Sequence, residues 1–139
     1  MKTANVAEAV KSEHAVALLK QMYGENRVEE NAARYQLVAD GFAKEFGDKA
    51  FEFFSAPGRT EIGGNHTDHN HGKVLAGSVH LDCVAAAAPN GTHTVNLISE
   101  TYNQHLVIDL DDLAPTEKTT GTEPLLKGIF AGLLEKGCK

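Results

Sequence analysis

The chain has 139 residues, of which 42% are hydrophobic, which is enough for one ordinary domain with a core. Its formal net charge is −6 and its 13 basic residues are scattered singly, so the cationic stripe that holds nucleic acid is excluded. Two isolated cysteines, and the lack of any apolar run of signal-peptide or membrane-spanning length, predict a cytoplasmic protein with no membrane partner.

The first third of the sequence predicts two helices. Residues 5–23 repeat apolar side chains at about 3.6-residue spacing, which is typical of an amphipathic helix. Residues 29–46 repeat that spacing, and Gly47 is placed to end the second helix. The chain is therefore expected to open with a helical hairpin.

The middle of the sequence has the patterns of strands. An aromatic run at 51–54 predicts a short strand that stops at the breaker 55–58. Four later segments also have an extended pattern: 73–76, 80–88, 92–99 and 104–110. Asn90-Gly91 predicts a tight turn that joins two of these segments as a hairpin, so an antiparallel sheet is expected.

The last segment returns to helical spacing. Residues 111–122 are acidic and then rich in Pro, Thr and Gly, which predicts a loop, and 123–136 predict a helix. We find no internal repeat and no linker. The predicted fold class is therefore α+β, one unit over 1–139 in which N-terminal helices precede a mostly antiparallel sheet packed on helices.

The tract 56–72 concentrates the polar chemistry of the chain. It holds one arginine, two carboxylates and three histidines between several glycines. Such dense hydrogen-bonding groups need partners that water or a ligand supplies. We therefore predict that this loop is the functional site.

A metal is one reading of the loop, because His66, His69, His71 and Asp68 lie within six residues. Structural zinc sites usually draw ligands from two separated segments, and no second cluster of this kind occurs. We therefore assign no metal ligand and expect His69 and His71 to be solvated or bonded to backbone.

Recognition of a polyol is the other reading. Asp68 could accept protons from two adjacent hydroxyl groups, and His66 could bond a third oxygen. Arg59 carries a fixed cationic fork suited to a phosphoryl group, although a structural ion pair with a nearby carboxylate is its other possible role.

The loop resembles the galactokinase signature of the GHMP small-molecule kinases, commonly written PGRxNxIGEHxDYN. Seven of its eleven fixed letters match in register: Pro57, Gly58, Arg59, Gly64, His66, Asp68 and Asn70. The resemblance continues through Gly72-Lys73-Val74-Leu75, which is similar to the family's GxVL. It implies part of the two-layer, ribosomal-protein-like N-terminal domain of these kinases. It also implies ATP-dependent phosphorylation of the anomeric hydroxyl of galactose.

The resemblance also implies roles for individual residues. Arg59, Asn65, His66 and Asp68 fall on substrate-binding positions, and Arg59 is expected near the transferred phosphoryl group as a catalytic residue. Four positions depart from the signature: Glu61 replaces Asn, Gly63 replaces Ile, Asn65 replaces Glu and His69 replaces Tyr. These departures leave open whether the sugar is galactose or a related hexose.

The family implies ATP and Mg²⁺ as cofactors, but their main binding motifs are absent from this chain. No glycine-rich phosphate loop occurs, and the four serines are far apart. We therefore expect a galactose-binding part truncated before the phosphate loop and the C-terminal domain, which would be a possible partner. The isolated chain is predicted to be inactive. A non-catalytic galactose sensor and a small metal-binding domain remain alternatives.

Overall fold

A computed structural model describes residues 5–64, 66–115, 117 and 120–138, and for Asp68 only the backbone. Helices and antiparallel strands follow one another along the chain, as expected for the α+β class. In chain order they are α1 (Val6–Ala9), α2 (Glu13–Tyr23), α3 (Val28–Phe46), β1 (Glu52–Gly63), β2 (Leu75–Ala87), β3 (Thr94–Ser99), β4 (Gln104–Asp109) and α4 (Thr122–Glu135). Among the described residues, no helix combines the length and apolar character needed to cross a membrane.

The first predicted helix is interrupted, so the prediction of one helix over 5–23 is wrong. Ser12 has an extended backbone (φ −62°, ψ 150°) and its hydroxyl accepts a hydrogen bond from the amide of Ala15 at 3.2 Å. Serine competes for backbone groups in this way and therefore begins a new helix. The second helix is confirmed as Val28–Phe46, and it ends at Gly47 with φ 80°.

Contacts divide the chain into two compact units, Met1–Pro89 and Asn90–Lys139. The core of the first unit joins α1, α3 and the residue before β1. Its buried members are Val6, Ala39, Phe42 and Phe51. The ring centroids of Phe42 and Phe51 lie 4.9 Å apart. The apolar stripes of the N-terminal helices are therefore core faces.

Strand β1 continues through the predicted breaker, so half of the predicted loop 56–72 is strand. Pro57 lies opposite Asp82 on β2, and Arg59 lies opposite Ser78. The three residues between Ser78 and Asp82 thus face the single residue Gly58, which makes a bulge. A proline is tolerated at such an irregularity, and the two extended candidates at 73–76 and 80–88 form one strand, β2.

A buried carboxylate ties the helices to this bulge. Asp82, whose side chain is 4% exposed, accepts hydrogen bonds from Arg34 of α3 and from Ser55 of β1. Tyr23 of α2 donates to it at 2.6 Å. Arg34 also donates to the carbonyl of Asp82, opposite Pro57, which has no N–H to offer.

Burial raises the pKa of the Asp82 carboxyl, but the hydrogen bonds from Ser55, Tyr23 and Arg34 outweigh it and hold that pKa below its usual value. The carboxylate therefore stays charged among its donors.

The second unit contains β3 and β4 as an antiparallel pair of its own, with Thr94 opposite Asp109. The predicted hairpin at Asn90-Gly91 is wrong, because β2 pairs with β1 and not with β3. The side chain of Asn90 instead accepts from the Thr92 amide at 2.9 Å and donates to the Thr94 carbonyl at 2.8 Å. The single predicted sheet is thus two separate two-stranded sheets.

Helix α4 confirms the predicted helix at 123–136 within one residue at each end. It ends in a Schellman motif, since the amide of Cys138 donates to the carbonyl of Leu133 and the amide of Gly137 to that of Leu134. Gly137 has φ 81°, the left-handed conformation that this cap requires. Four apolar side chains of α4 are exposed: Leu125, Ile129, Leu133 and Leu134.

Candidate functional site

The site begins on strand β1, where Arg59 and Glu61 are two residues apart and so point to the same face. The guanidinium Nη2 of Arg59 lies 3.0 Å from Oε1 of Glu61, and Nε lies 3.4 Å from the same oxygen. Arg59 is therefore engaged in an ion pair with a carboxylate of its own strand.

The second oxygen of Glu61 reaches the turn that follows the strand. Oε2 accepts a hydrogen bond from the backbone amide of His66 at 3.1 Å, and Nδ1 of the His66 ring lies 4.0 Å from Oε1. The hydrogen bond from Arg59, followed by that from the His66 amide, lowers the pKa of the Glu61 carboxyl. Glu61 therefore joins the strand to the loop as a carboxylate.

The three side chains differ in exposure. The Glu61 side chain is 13% exposed, whereas those of Arg59 and His66 are 64% and 70% exposed. The carboxylate thus lies on the inside of the cluster, with most of the guanidinium and imidazole surface open to solvent. Arg59 and His66 therefore present hydrogen-bonding groups at the surface that can bond a polar ligand.

The turn after Gly63 is closed by hydrogen bonds centred on Thr67. Its amide and hydroxyl donate to the carbonyl of Gly64 at 2.9 and 2.6 Å. The carbonyl of Thr67 accepts from the amides of Asn70 and Gly72 at 3.0 and 2.8 Å. These hydrogen bonds join Gly64, Thr67, Asn70 and Gly72 in a compact turn.

Two glycines are required by close approach in this loop. A Cβ at Gly64 would lie 2.1 Å from the carbonyl oxygen of Lys73, and Gly64 has φ 83°. A Cβ at Gly72 would lie 2.5 Å from the side chain of Thr67. His66 also has positive φ, 55°, in a region that is costly for a residue other than glycine.

The predicted site residues are only partly brought together. Arg59 and His66 contact the same carboxylate, Glu61. Asn65 lies outside the described residues. Asp68 begins the short 3₁₀ turn Asp68–Asn70, and its side chain is likewise outside what the structure describes. The predicted roles of Asn65 and Asp68 therefore stay predictions.

Glu61 is the residue that sequence reasoning passed over, since it was noted only as a departure from the signature. An available signal was the spacing, because an arginine and a glutamate two apart on a strand share a face. The sequence predicts that the strand stops at the breaker 55–58, however, so Arg59 and Glu61 fall in a loop where that pairing does not follow.

The histidines after His66 form no metal centre within the part of the chain that the structure describes. No group of three or more His, Cys, Asp or Glu residues there could hold a metal ion. His69 and His71 are exposed, and His71 has φ 62°.

Comparison with known proteins assigns the loop and its strands to a family signature. Residues 40–89 match the family model described as the galactokinase galactose-binding signature. This stretch contains the end of α3, both strands of the first sheet and the whole polar loop.

The curated relatives that match the chain are named galactokinase, like the signature. The chain is 37% identical over 89 residues to the galactokinase of Lactococcus lactis subsp. cremoris, covering 62% of this chain and 22% of that protein. It is 36% identical over 95 residues to the galactokinase of Lactococcus lactis subsp. lactis, covering 68% and 24%. With the galactokinase of Lacticaseibacillus casei it is 36% identical over 73 residues, or 52% and 19%.

Residues 40–89 therefore carry the galactokinase galactose-binding signature, and the chain is similar over part of its length to curated galactokinases. The matched stretches span less than a quarter of the length of these curated relatives. No solved structure matches the chain.

Proposed function

We propose that this chain is the galactose-binding part of an ATP-dependent galactokinase, which phosphorylates the anomeric hydroxyl of galactose. The observation that carries the proposal is the match of residues 40–89 to the galactose-binding signature, within which Arg59 and His66 meet at one open cluster. A polar cluster beside a hydrogen-bonded turn suits a ligand whose surface is mostly hydroxyl groups.

In this proposal some residues of the loop bind the sugar and Arg59 interacts with the phosphoryl group. His66 and Asp68 bond sugar hydroxyls, and Asn65 adds an amide that can donate and accept. Arg59 is directed to the phosphoryl group, where its charge offsets the negative charge that develops during transfer. Supporting this role, its exposed guanidinium keeps N–H groups beyond the two bonded to Glu61.

ATP and Mg²⁺ supply the phosphoryl group and neutralise its charge in such an enzyme. The residues present do not fit these cofactors: the sequence has no glycine-rich phosphate loop, and the described part of the chain has no cluster of carboxylates for a metal. We therefore assign no residue of this chain to ATP or Mg²⁺ and propose that other parts of the kinase hold them. The cytoplasmic location stays a prediction.

The first test is calorimetric titration of the chain with galactose. We expect millimolar or tighter binding, weakened about tenfold in Asp68→Asn, because the loss of one charge-assisted hydrogen bond is worth at least that factor. Asp112→Asn, an exposed carboxylate in the second unit, is the matched control and should bind as the wild type does. Absence of galactose binding by the wild-type chain would contradict the proposal.

A coupled kinase assay separates the enzyme part from a non-catalytic sensor. The chain alone is expected to give no galactose-dependent ATP turnover. Joined to a segment that supplies the phosphate loop and the catalytic carboxylate, it should give turnover that Arg59→Ala removes. Binding of galactose without turnover in the joined protein would favour the sensor.

A further inference from the structure

Glu61 bonds both the Arg59 guanidinium and the backbone amide of His66, the two residues whose exposed side chains a ligand would contact. Its Oε1 takes two N–H groups of the Arg59 guanidinium, and its Oε2 takes the backbone amide of His66. One nearly buried carboxylate thus fixes a cation on the strand and a turn five residues later. Without it, Arg59 would regain rotamer freedom, and the amide of His66 would lose its partner.

Comparison of the sequence with the signature also draws attention to Glu61, independently of the contacts. The signature has Asn at position 61 and Glu at position 65, whereas this chain has Glu61 and Asn65. The carboxylate and the amide have therefore exchanged places, and the loop keeps one of each. A simple loss of the glutamate would have removed a charge, but the exchange preserves it.

We propose that Glu61 is a positioning residue of this site and that it provides, from strand β1, the loop carboxylate that the signature places at position 65. Glu61 pre-orients the Arg59 guanidinium and the turn at His66, so that less freedom is lost when a ligand binds. The identity of the ligand rests on the proposed function, whereas the positioning itself does not.

The positioning is tested without any sugar, by ¹H–¹⁵N NMR of the chain across an acid titration. The His66 amide and the Arg59 Nε–H should both shift as Glu61 protonates, with a midpoint below the ordinary value for glutamate. Glu61→Gln should abolish this titration. Glu52→Gln, an exposed carboxylate on the same strand, should leave it unchanged. A His66 amide that titrates equally in Glu61→Gln would overturn the proposal.

The exchange is tested by galactose titration. Glu61→Asn should weaken binding about tenfold, as expected for a lost charge-assisted contact. The double variant Glu61→Asn/Asn65→Glu should bind more tightly than Glu61→Asn, and the isosteric Glu61→Gln should lose less than Glu61→Ala. Glu52→Ala should bind as the wild type does.

A double variant no better than Glu61→Asn, or a Glu61→Ala that binds as tightly as the wild type, would overturn the proposal. If the wild type binds no galactose, the proposed function fails, and the NMR titration still decides the role of Glu61.

Discussion

Gly64 is the residue on which the shape of the loop depends most directly. Its φ of 83° is left-handed, and the carbonyl of Lys73 fills the space that a side chain would need. The neighbouring Gly63 has open space around its Cβ position and no positive φ. Two adjacent glycines of the same motif are thus required to different degrees.

Gly64→Ala is expected to destabilise the protein by more than about 1–2 kcal/mol, the cost of the left-handed conformation alone, because the backbone clash adds to it. Gly63→Ala should change the free energy of unfolding by less than about 0.5 kcal/mol. Urea denaturation followed by circular dichroism measures both. Equal effects of the two substitutions would show that the close approach to Lys73 is not decisive.

At the scale of elements, a serine decides where the second helix begins. Ser12→Ala should cost about 1 kcal/mol, since it removes the side-chain acceptor for the Ala15 amide. Ser12→Asp keeps an N-cap acceptor and should retain most of the stability. Thermal unfolding of the two variants is the measurement, and a Ser12→Asp variant as unstable as Ser12→Ala would argue against capping.

The junction between the helices and the first sheet depends on Asp82. Asp82→Asn should destabilise by on the order of 3 kcal/mol, because it leaves Arg34 facing an uncharged group in a mostly buried place. Arg34→Met should be comparably harmful, and the double variant should lose less than the sum. A double-mutant cycle in urea measures this coupling. Strict additivity would mean that the ion pair contributes nothing beyond its separate parts.

For the whole molecule, the lowered pKa values of Asp82 and Glu61 predict sensitivity to acid. A carboxyl whose folded pKa is depressed contributes stability that is present above its unfolded pKa, about 4. That stability is lost as pH falls through the folded pKa. Melting temperatures should therefore fall as the pH drops below about 4, the ordinary carboxyl pKa. Asp82→Asn should flatten this profile, whereas Asp112→Asn should leave it as in the wild type.

The pairing of the strands into two sheets is the largest difference between the predicted and the observed fold. The sequence predicts one sheet because alternation shows that a segment is a strand but not which strand it pairs with. Strand β2 pairs with β1 across the polar loop, whereas β3 pairs with β4. The tight-turn pattern at Asn90-Gly91 is local and does not specify which strand pairs with β3.

The sequence by itself predicted the α+β class, the polar loop, and helices at 29–46 and 123–136 that lie within one residue of the observed ones. These follow from periodicity and residue chemistry, which are local. The site roles of Arg59 and His66 stay predictions. The break at Ser12 follows from its local N-cap contact with Ala15, whereas tertiary structure decided the continuation of β1 through Pro57 and the contacts of Glu61. Residues 55–58 have the pattern of a breaker, but they continue strand β1 because residues 55–57 pair with β2. Arg34 donates to the Asp82 carbonyl opposite Pro57, which has no N–H to offer. Strand β1, in turn, brings Glu61 to the same face as Arg59.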